Sequence, residues 1–325
     1  MISGFWTKLK RPIMALAPMA NVTDCAFRRI IAKYGKPDVM FTEFVSCDGL
    51  MSPGRDKLLI DFRYTEAERP IVAQIFGSKP DNFYKTALLC QELDFDGIDI
   101  NMGCPDKNVE KQGAGAYMMK NPKVAQKVVS ATMRGAGKLP VSVKTRIGYN
   151  KNELATWLPA LLNTELAAIT VHCRTRKEMS LVPARWEHVA EAVALRDSSG
   201  SQTLILGNGD VPNLAEAEKK VAETGADGVM IGRGIFGNPW CFNRTRRPED
   251  ISLVERLRVM VEHTYLFEKL LGEHKNFDIM KKHYKAYVAG FNGAKELRIQ
   301  LMEKAENAAT VEEVVEKFIK YNLSS

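Results

Sequence analysis

The feature that most narrows the possible folds is a regular alternation, from residue 13 to about residue 235, of short apolar runs with longer amphipathic ones. The short runs are IMALA from Ile13, DVMFTE from Asp38, PIVAQIF from Pro70 and GIDIN from Gly97. VSVKT from Val141, AAITVH from Ala167, TLILG from Thr203 and GVMIG from Gly228 follow them. Each is nearly continuous in apolar residues and rich in Val and Ile, as a parallel strand buried on both faces should be. Helical spacing fills the intervals at residues 23–34, 80–93, 122–134 and 212–224. Asn121-Pro122 and Val211-Pro212 place proline at a first helical turn.

Eight βα units over this length predict an α/β fold of the (β/α)₈ TIM-barrel type. The rival is an open, doubly wound sheet, because periodicity does not show closure. A dinucleotide-binding open sheet would carry GxGxxG after its first strand. Here the first strand runs into Ala17-Pro18-Met19, and the glycines cluster after the last two strands, where barrels keep a phosphate site. TRRPED at residues 245–250 reads as a linker, with Pro248 as the breaker. From 252 to 321 the spacing is helical, interrupted at Gly272, at Gly290 to Gly293 and near Asn307 to Thr310. The expected organisation is a catalytic barrel over residues 1–244 and a small all-helical domain of three or four helices over 245–325.

Composition excludes several classes. No apolar run reaches the roughly 20 residues that span a bilayer, and the N-terminus lacks the apolar stretch of a secretory signal, so the cytoplasm is the expected compartment. The cysteines at 25, 47, 90, 104, 173 and 241 form no CxxC pair, which argues against a metal site or a disulfide framework. A formal net charge of +7 is compatible with a polyanionic partner without requiring one.

Chemistry in such a barrel gathers at the carboxyl ends of the strands. Those positions hold Pro18-Met19-Ala20, Glu43, Gln74, Asn101 with Cys104, Lys144 with Arg146, His172 with Arg174, Asn208-Gly209-Asp210 and Gly232-Arg233-Gly234. The turns LGNGD and IGRGIFG can each present backbone N–H groups to an anion, and side by side they fit one phosphate with Arg233 as a clamp. Singly, each is an ordinary tight βα turn. Lys144 at a barrel mouth needs an anionic partner, since an isolated buried ammonium is costly; a Schiff-base role is the alternative. Gln74 can donate and accept at a ligand edge, or face water at the rim. Cys104, between Gly103 and Pro105, can be a general acid, an activated nucleophile or an inert buried thiol.

Taken in order, APMANVTDCAFR, TEFVS, VAQIFG, DINMGCP, KQGAGAYMM, VKTRIGY, VHCRTR, GNGD and MIGRGIFGNPW resemble the tRNA dihydrouridine synthases. The resemblance runs from about residue 13 to 240, and the helical tail has the size of that family's RNA-binding domain. It implies FMN at the barrel mouth, reduced by NADPH. FMN contacts would be Pro18, Met19, Ala20, Gln74, Lys144, His172, Asn208, Gly209, Asp210, Gly232 and Arg233; His172 is otherwise a packed strand-end histidine. It further implies hydride transfer from flavin N5 to C6 of a uracil flipped out of tRNA, and protonation of C5 by Cys104. Asn101 would hydrogen-bond the uracil and Arg174 would hold a nearby phosphate. After HCRTR the family pattern has an aromatic and a glycine before the Trp, whereas this chain reads KEMSLVPARW, leaving the RNA contacts of loop 177–185 open.

For tRNA the tail offers Lys281, Lys282, His283 and Lys285 on one helical turn, with Arg244, Arg246 and Arg247 in the linker. A solvated helix face explains such lysines equally well. Two other functions remain: an FMN barrel acting on a free pyrimidine or small enone, which gives no reason for the tail, and an RNA-binding scaffold without catalysis, which gives none for Cys104 or Lys144.

Overall fold

The computed structural model describes residues 4–322. Its centre is a parallel sheet of nine strands: β1 (Ile13–Leu16), β2 (Met40–Phe41), β3 (Val45–Ser46), β4 (Ile71–Phe76), β5 (Gly97–Met102), β6 (Val141–Arg146), β7 (Ala168–His172), β8 (Leu204–Asn208) and β9 (Gly228–Ile231). They pair in the order β1-β9-β8-β7-β6-β5-β4-β2, with β3 also on β4. The ring closes where the Leu16 N–H donates to the Val39 carbonyl at 3.0 Å and the Asp38 N–H to the Met14 carbonyl at 2.8 Å. This is the expected barrel of eight staves, the second made of β2 and β3 together. The run DVMFTE does not form the single strand its pattern predicts. Thr42 turns its hydroxyl onto the Gln74 N–H at 3.0 Å, and Glu43 is diverted into side-chain contacts.

Alternation along the strands separates two cores. Ile13, Ala15, Phe41, Val72, Leu204, Leu206 and Met230 point inward and meet Trp6, which a short 3₁₀ turn (Gly4–Lys8) tucks against the amino ends of the strands. Met14, Leu16, Ile98, Ile100, Val143, Ile169 and Val229 point outward into the helices. The interior is therefore apolar at its floor. Toward the mouth it becomes polar, with Gln74, Asp99, Asn101, Ser142 and Thr170 all buried.

The helices around the ring are α1 (Cys25–Tyr34), α2 (Cys47–Leu50), α3 (Arg55–Leu59), α4 (Pro80–Glu92), α5 (Lys107–Lys111), α6 (Pro122–Ala136), α7 (Leu154–Leu162), α8 (Glu187–Ser198) and α9 (Leu214–Thr224). Asn121 caps α6 with Pro122 at the first position, as expected. Pro212 does not open α9. Asn213 accepts the Glu216 N–H at 2.9 Å and moves the start to Leu214, since a carboxamide cap satisfies a donor that proline cannot.

The tail forms α10 (Leu253–Leu271), α11 (Met280–Tyr287), α12 (Ala294–Lys304) and α13 (Ala308–Asn322), broken where the glycines and Asn307 predict. It seats on the barrel through α1 and α10: Phe27 packs against the buried imidazoles of His263 and His283, at 4.8 and 4.7 Å between centroids, and the two imidazoles meet each other at 4.6 Å. Beneath this seat Arg28 and Glu68 form a fully buried ion pair at 2.7 Å. The guanidinium also donates to the Thr23 and Arg63 carbonyls at 2.8 and 2.6 Å, so its protons are largely satisfied. Among the described residues no helix is long and apolar enough to cross a membrane.

Candidate active site

The two glycine turns after β8 and β9 lie against each other. A Cβ on Gly234 would come within 2.8 Å of the Val211 carbonyl oxygen and 2.7 Å of that of Pro212, so only glycine permits the contact. Gly209 has φ of +130°, and a Cβ there would meet Ala184 at 2.8 Å and the His172 ring at 3.2 Å. Trp186 seals the outside: its indole covers Gly207 and donates to the Gly209 carbonyl at 2.9 Å. Together with β1 and β6 these turns wall an open cavity whose lining includes Pro18, Met19, Lys144, Arg146, His172, Arg174, Asn208, Gly209, Asp210, Gly232 and Arg233.

The cavity is strongly cationic. Its one carboxylate, Asp210, is ion-paired with both Arg174 and Arg233, and hydrogen bonding to Arg174 holds its pKa below the usual carboxylate range. Arg174 also donates to the Val182 carbonyl at 2.5 Å. Lys144 rises from the wall and donates to Asn208 Oδ1 at 3.1 Å, while Asn208 Nδ2 anchors on the Met230 carbonyl at 2.7 Å. Burial, aided by the nearby Arg146 charge, pushes Lys144 down to about 8. Burial with Arg146, Lys144, Arg174 and Arg233 around it keeps His172 neutral, well below its ordinary value. Four cations, a neutral imidazole and a carboxylate already committed make a site for an anion.

Below the mouth the inward residues form a connected polar row. Asn101 Nδ2 donates to Gln74 Oε1 at 3.1 Å, Gln74 Nε2 to Asp99 Oδ2 at 2.7 Å, and Ser142 Oγ to Asp99 Oδ1 at 2.6 Å. The register pairs Gln74 with Asp99, Asp99 with Ser142, and Asn101 with Lys144. Burial lifts Asp99 to about 6, against the pull of Ser142, Gln74 and Lys144.

Cys104 sits just beyond β5. Its backbone N–H donates to Asn101 Oδ1 at 2.9 Å and its carbonyl accepts from Ala116 at 3.0 Å. The GAGA segment is thus the support of this loop: Gly115, at φ +59°, would drive a Cβ to 2.7 Å from the Cys104 carbonyl oxygen. Phe44, Phe76, Val109 and Ala114 form the apolar cluster that Cys104 packs against. Burial raises the thiol pKa above its ordinary value, with Arg146 and Lys144 close enough to oppose it. Cys104 is therefore a protonated thiol at neutral pH.

Of the residues expected at the site, Pro18, Met19, Lys144, His172, Asn208, Gly209, Asp210, Gly232 and Arg233 come together around the cavity. Gln74 lies beneath them, fully buried, and acts through Asn101 and Asp99; Ala20 is exposed on the turn after Met19. Asn101 spends its carboxamide on Gln74, Gly103 and Cys104, leaving one amide N–H for a ligand. Arg174 joins the anion cavity itself. Asp99 escaped the sequence reading, although polar residues at 99 and 101 inside an apolar run mark one face of a strand. Arg146 stands among the strand-end residues beside Lys144, but the sequence assigns it no role. It donates to the Gly103 carbonyl at 2.8 Å and to the Thr175 and Met179 carbonyls at 3.1 and 3.0 Å, joining the Cys104 loop to loop 177–185. That loop is further held by a two-pronged Arg185–Glu178 pair at 2.7 and 2.9 Å, and it exposes Met179 and Leu181.

In the tail Lys282 and Lys285 are exposed, Lys281 is paired with Asp278 at 2.7 Å, and His283 is buried against Phe27 rather than on the lysine face. Arg244, Arg246 and Arg247 are engaged with Asp38, Glu255 and Asp250.

The family model described as Dihydrouridine synthase (Dus) matches residues 15–322. The chain is 42% identical over 305 residues to "Probable tRNA-dihydrouridine synthase 2" of Bacillus subtilis (strain 168), covering 93% of each chain. It is 41% identical over 305 residues to "Probable tRNA-dihydrouridine synthase" of Staphylococcus aureus (strain MRSA252), covering 93% of this chain and 92% of that one. Among solved structures, histamine dehydrogenase from Rhizobium sp. 4-9 superposes with a TM-score of 0.55 at 13% identity, over 78% of this chain and 48% of that one. This last likeness is one of fold alone.

Proposed function

The chain belongs to the dihydrouridine synthase family, and we propose that it reduces uridine in tRNA with FMN in the cationic cavity, NADPH as reductant and Cys104 as proton donor. As a member of that family it is an oxidoreductase acting on tRNA uridine. The observation that carries the mechanistic reading is that the Cys104 loop is tied to the anion-binding cavity at the same end of the barrel, through Arg146 of the cavity wall on the Gly103 carbonyl and Asn101 on the Cys104 N–H.

The donor set fits FMN. Arg174, Arg233 and the two glycine turns would take its phosphate, in a cavity whose one carboxylate, Asp210, is already paired with both arginines. Lys144 would lie against the electron-rich edge of the ring system. When bound and reduced, FMN supplies hydride for C6 of the uracil. Cys104 supplies the proton at C5, and its raised pKa keeps that proton in place until it is needed. Asn101 aims the Cys104 loop from strand β5, Gln74 fixes Asn101, and Asp99 fixes Gln74. Arg146 ties the same loop to the 177–185 segment from the other side.

The reading takes residues 1–244 as the catalytic barrel and 245–325 as the tRNA-binding part, with Lys281, Lys282 and Lys285 meeting phosphates in a cytoplasmic enzyme. The deciding experiment is anaerobic. The purified protein should carry a flavin identified as FMN by mass, be reduced by NADPH, and be reoxidised in one turnover by tRNA lacking dihydrouridine, whose mass then rises by two hydrogens. A colourless protein that takes up no FMN, or a reduced protein indifferent to such tRNA, would overturn it.

A further inference from the structure

Between α10 and α11 the chain leaves the helical tail and reaches back to the barrel mouth. Lys275 extends between two carboxylates of the barrel, with Nζ at 2.6 Å from Glu43 Oε2 and 2.8 Å from Asp61 Oδ1. The lysine side chain is 14% exposed, that of Glu43 6% and that of Asp61 23%, so the Glu43 side of the contact is the one shielded from water. Glu43 stands where the second stave breaks, and its other oxygen accepts the backbone N–H of Asn21 at 2.5 Å. Asn21 has φ of +54°, a left-handed conformation that asparagine adopts more readily than other residues with side chains, and Glu43 holds its N–H in that turn. Asn21 directly follows Pro18, Met19 and Ala20, and the first two of these wall the anion cavity.

We propose that Lys275, carried by the tail, is a positioning residue for the cofactor-lining turn: it fixes Glu43, Glu43 fixes Asn21, and the Pro18–Met19 wall follows. The chain of contacts is direct. Without the ammonium, Glu43 and Asp61 share a buried space with Asp24 close by, and at least one carboxyl must protonate or swing away. Burial works against the charge of Lys275, but the two carboxylates outweigh it and leave the lysine protonated. Adhesion of the tail does not require this ion triad, because α10 and α11 already seat on Phe27 through a buried aromatic contact. The triad instead lies at the catalytic mouth, between residues 232 apart in sequence. It makes the wall of the cavity depend on how the tail is seated.

The inference rests on the flavin reading only for what the turn contacts, so its test has an arm free of cofactor. Hydrogen exchange over residues 18–24 is followed in the full-length protein stripped of flavin, for the parent, Lys275→Met and Lys275→Arg. The Met form should exchange that segment about tenfold faster, the scale of one charge-assisted hydrogen bond, and Lys275→Arg should restore most of the protection. In loaded protein, flavin should leave the Met form about tenfold faster by the same reasoning. A lower unfolding temperature with unchanged protection at 18–24 and unchanged flavin release would reduce Lys275 to a staple and overturn the proposal. Should Lys275→Met fail to fold, Glu43→Gln keeps the shape and an acceptor for Asn21 while losing the attraction to Lys275. Faster exchange at 18–24 in that variant supports the proposal, and parent-like exchange overturns it. If the parent takes up no flavin, the proposed function fails while the exchange result still decides this inference.

Discussion

The carboxamide oxygen of Asn101 accepts the backbone N–H of Cys104 at 2.9 Å, so the last inward-facing side chain of β5 dictates where the thiol stands. Through Gln74 and Asp99 that grip extends into the barrel wall, which gives the Cys104 loop the rigidity of a strand.

Cys104→Ala should leave flavin content and reduction by NADPH intact and slow reoxidation by tRNA by roughly 10²–10⁴-fold, the usual worth of a placed proton donor. Cys104→Ser should recover only part, because a hydroxyl is a far weaker acid than a thiol. Single-turnover reoxidation of the three forms decides it: an Ala form as fast as the parent would move the proton donor elsewhere.

Lys144 gives the pH dependence two opposite signs. In turnover its charge is wanted, and an anionic flavin edge beside it would raise its pKa, so reduction of tRNA should fall only at a pH above the value of about 8 that holds for the free protein. Lys144→Arg should flatten that limb, since a guanidinium stays charged. In the free protein the lowered pKa is a penalty. Below about 8 the buried charge destabilises the fold, and between about 8 and 10.5 the unfolded chain holds the extra proton, so stability rises with pH. Lys144→Met should therefore unfold at higher denaturant than the parent at pH 7, with the difference closing toward pH 10. Parallel curves at both pH values would contradict the assignment.

Neutralising Lys281, Lys282 and Lys285 together should weaken tRNA binding and leave flavin content unchanged. Lys281 is already committed to Asp278, so the slope of log affinity against log salt should flatten by about two rather than three. Titrations at several salt concentrations measure this, and an unaltered slope would make these lysines a solvated face.

Arg28→Met should cost up to about 3–5 kcal/mol, because it leaves the fully buried Glu68 with only Arg29 at 3.9 Å and the Thr65 hydrogen bonds to hold its charge. Arg28→Met combined with Glu68→Leu should recover most of that loss. Urea midpoints of the single and double variants check both statements; a single variant within about 1 kcal/mol of the parent would show that the pair is not isolated from water.

The ring of staves was legible because a strand buried on both faces reads as a nearly continuous apolar run, and the polar residues Gln74, Asp99 and Ser142 within β4, β5 and β6 face the barrel interior. The second stave was not, since Thr42 and Glu43 use their side chains on Gln74 and Asn21, partners that no local pattern reveals. The cavity residues were legible for a related reason: a glycine or cation at a strand end has few purposes there. Asp99 was hidden because Ile98 and Ile100, facing outward, made its run read as apolar. Arg244, Arg246 and Arg247 looked free for RNA until their carboxylate partners were visible. Contacts such as Lys275 with Glu43 join distant parts of the chain, and only the folded arrangement brings them into view.

Trp6 has a kinetic meaning beyond its packing. Among the described residues the indole packs over the amino ends of the strands, and the cationic cavity opens at the opposite, carboxyl end. NADPH and tRNA, as proposed, would both have to approach from that end and compete for it. On the proposed chemistry they take turns, the first leaving before the second arrives, and the enzyme must wait in its reduced form between visits.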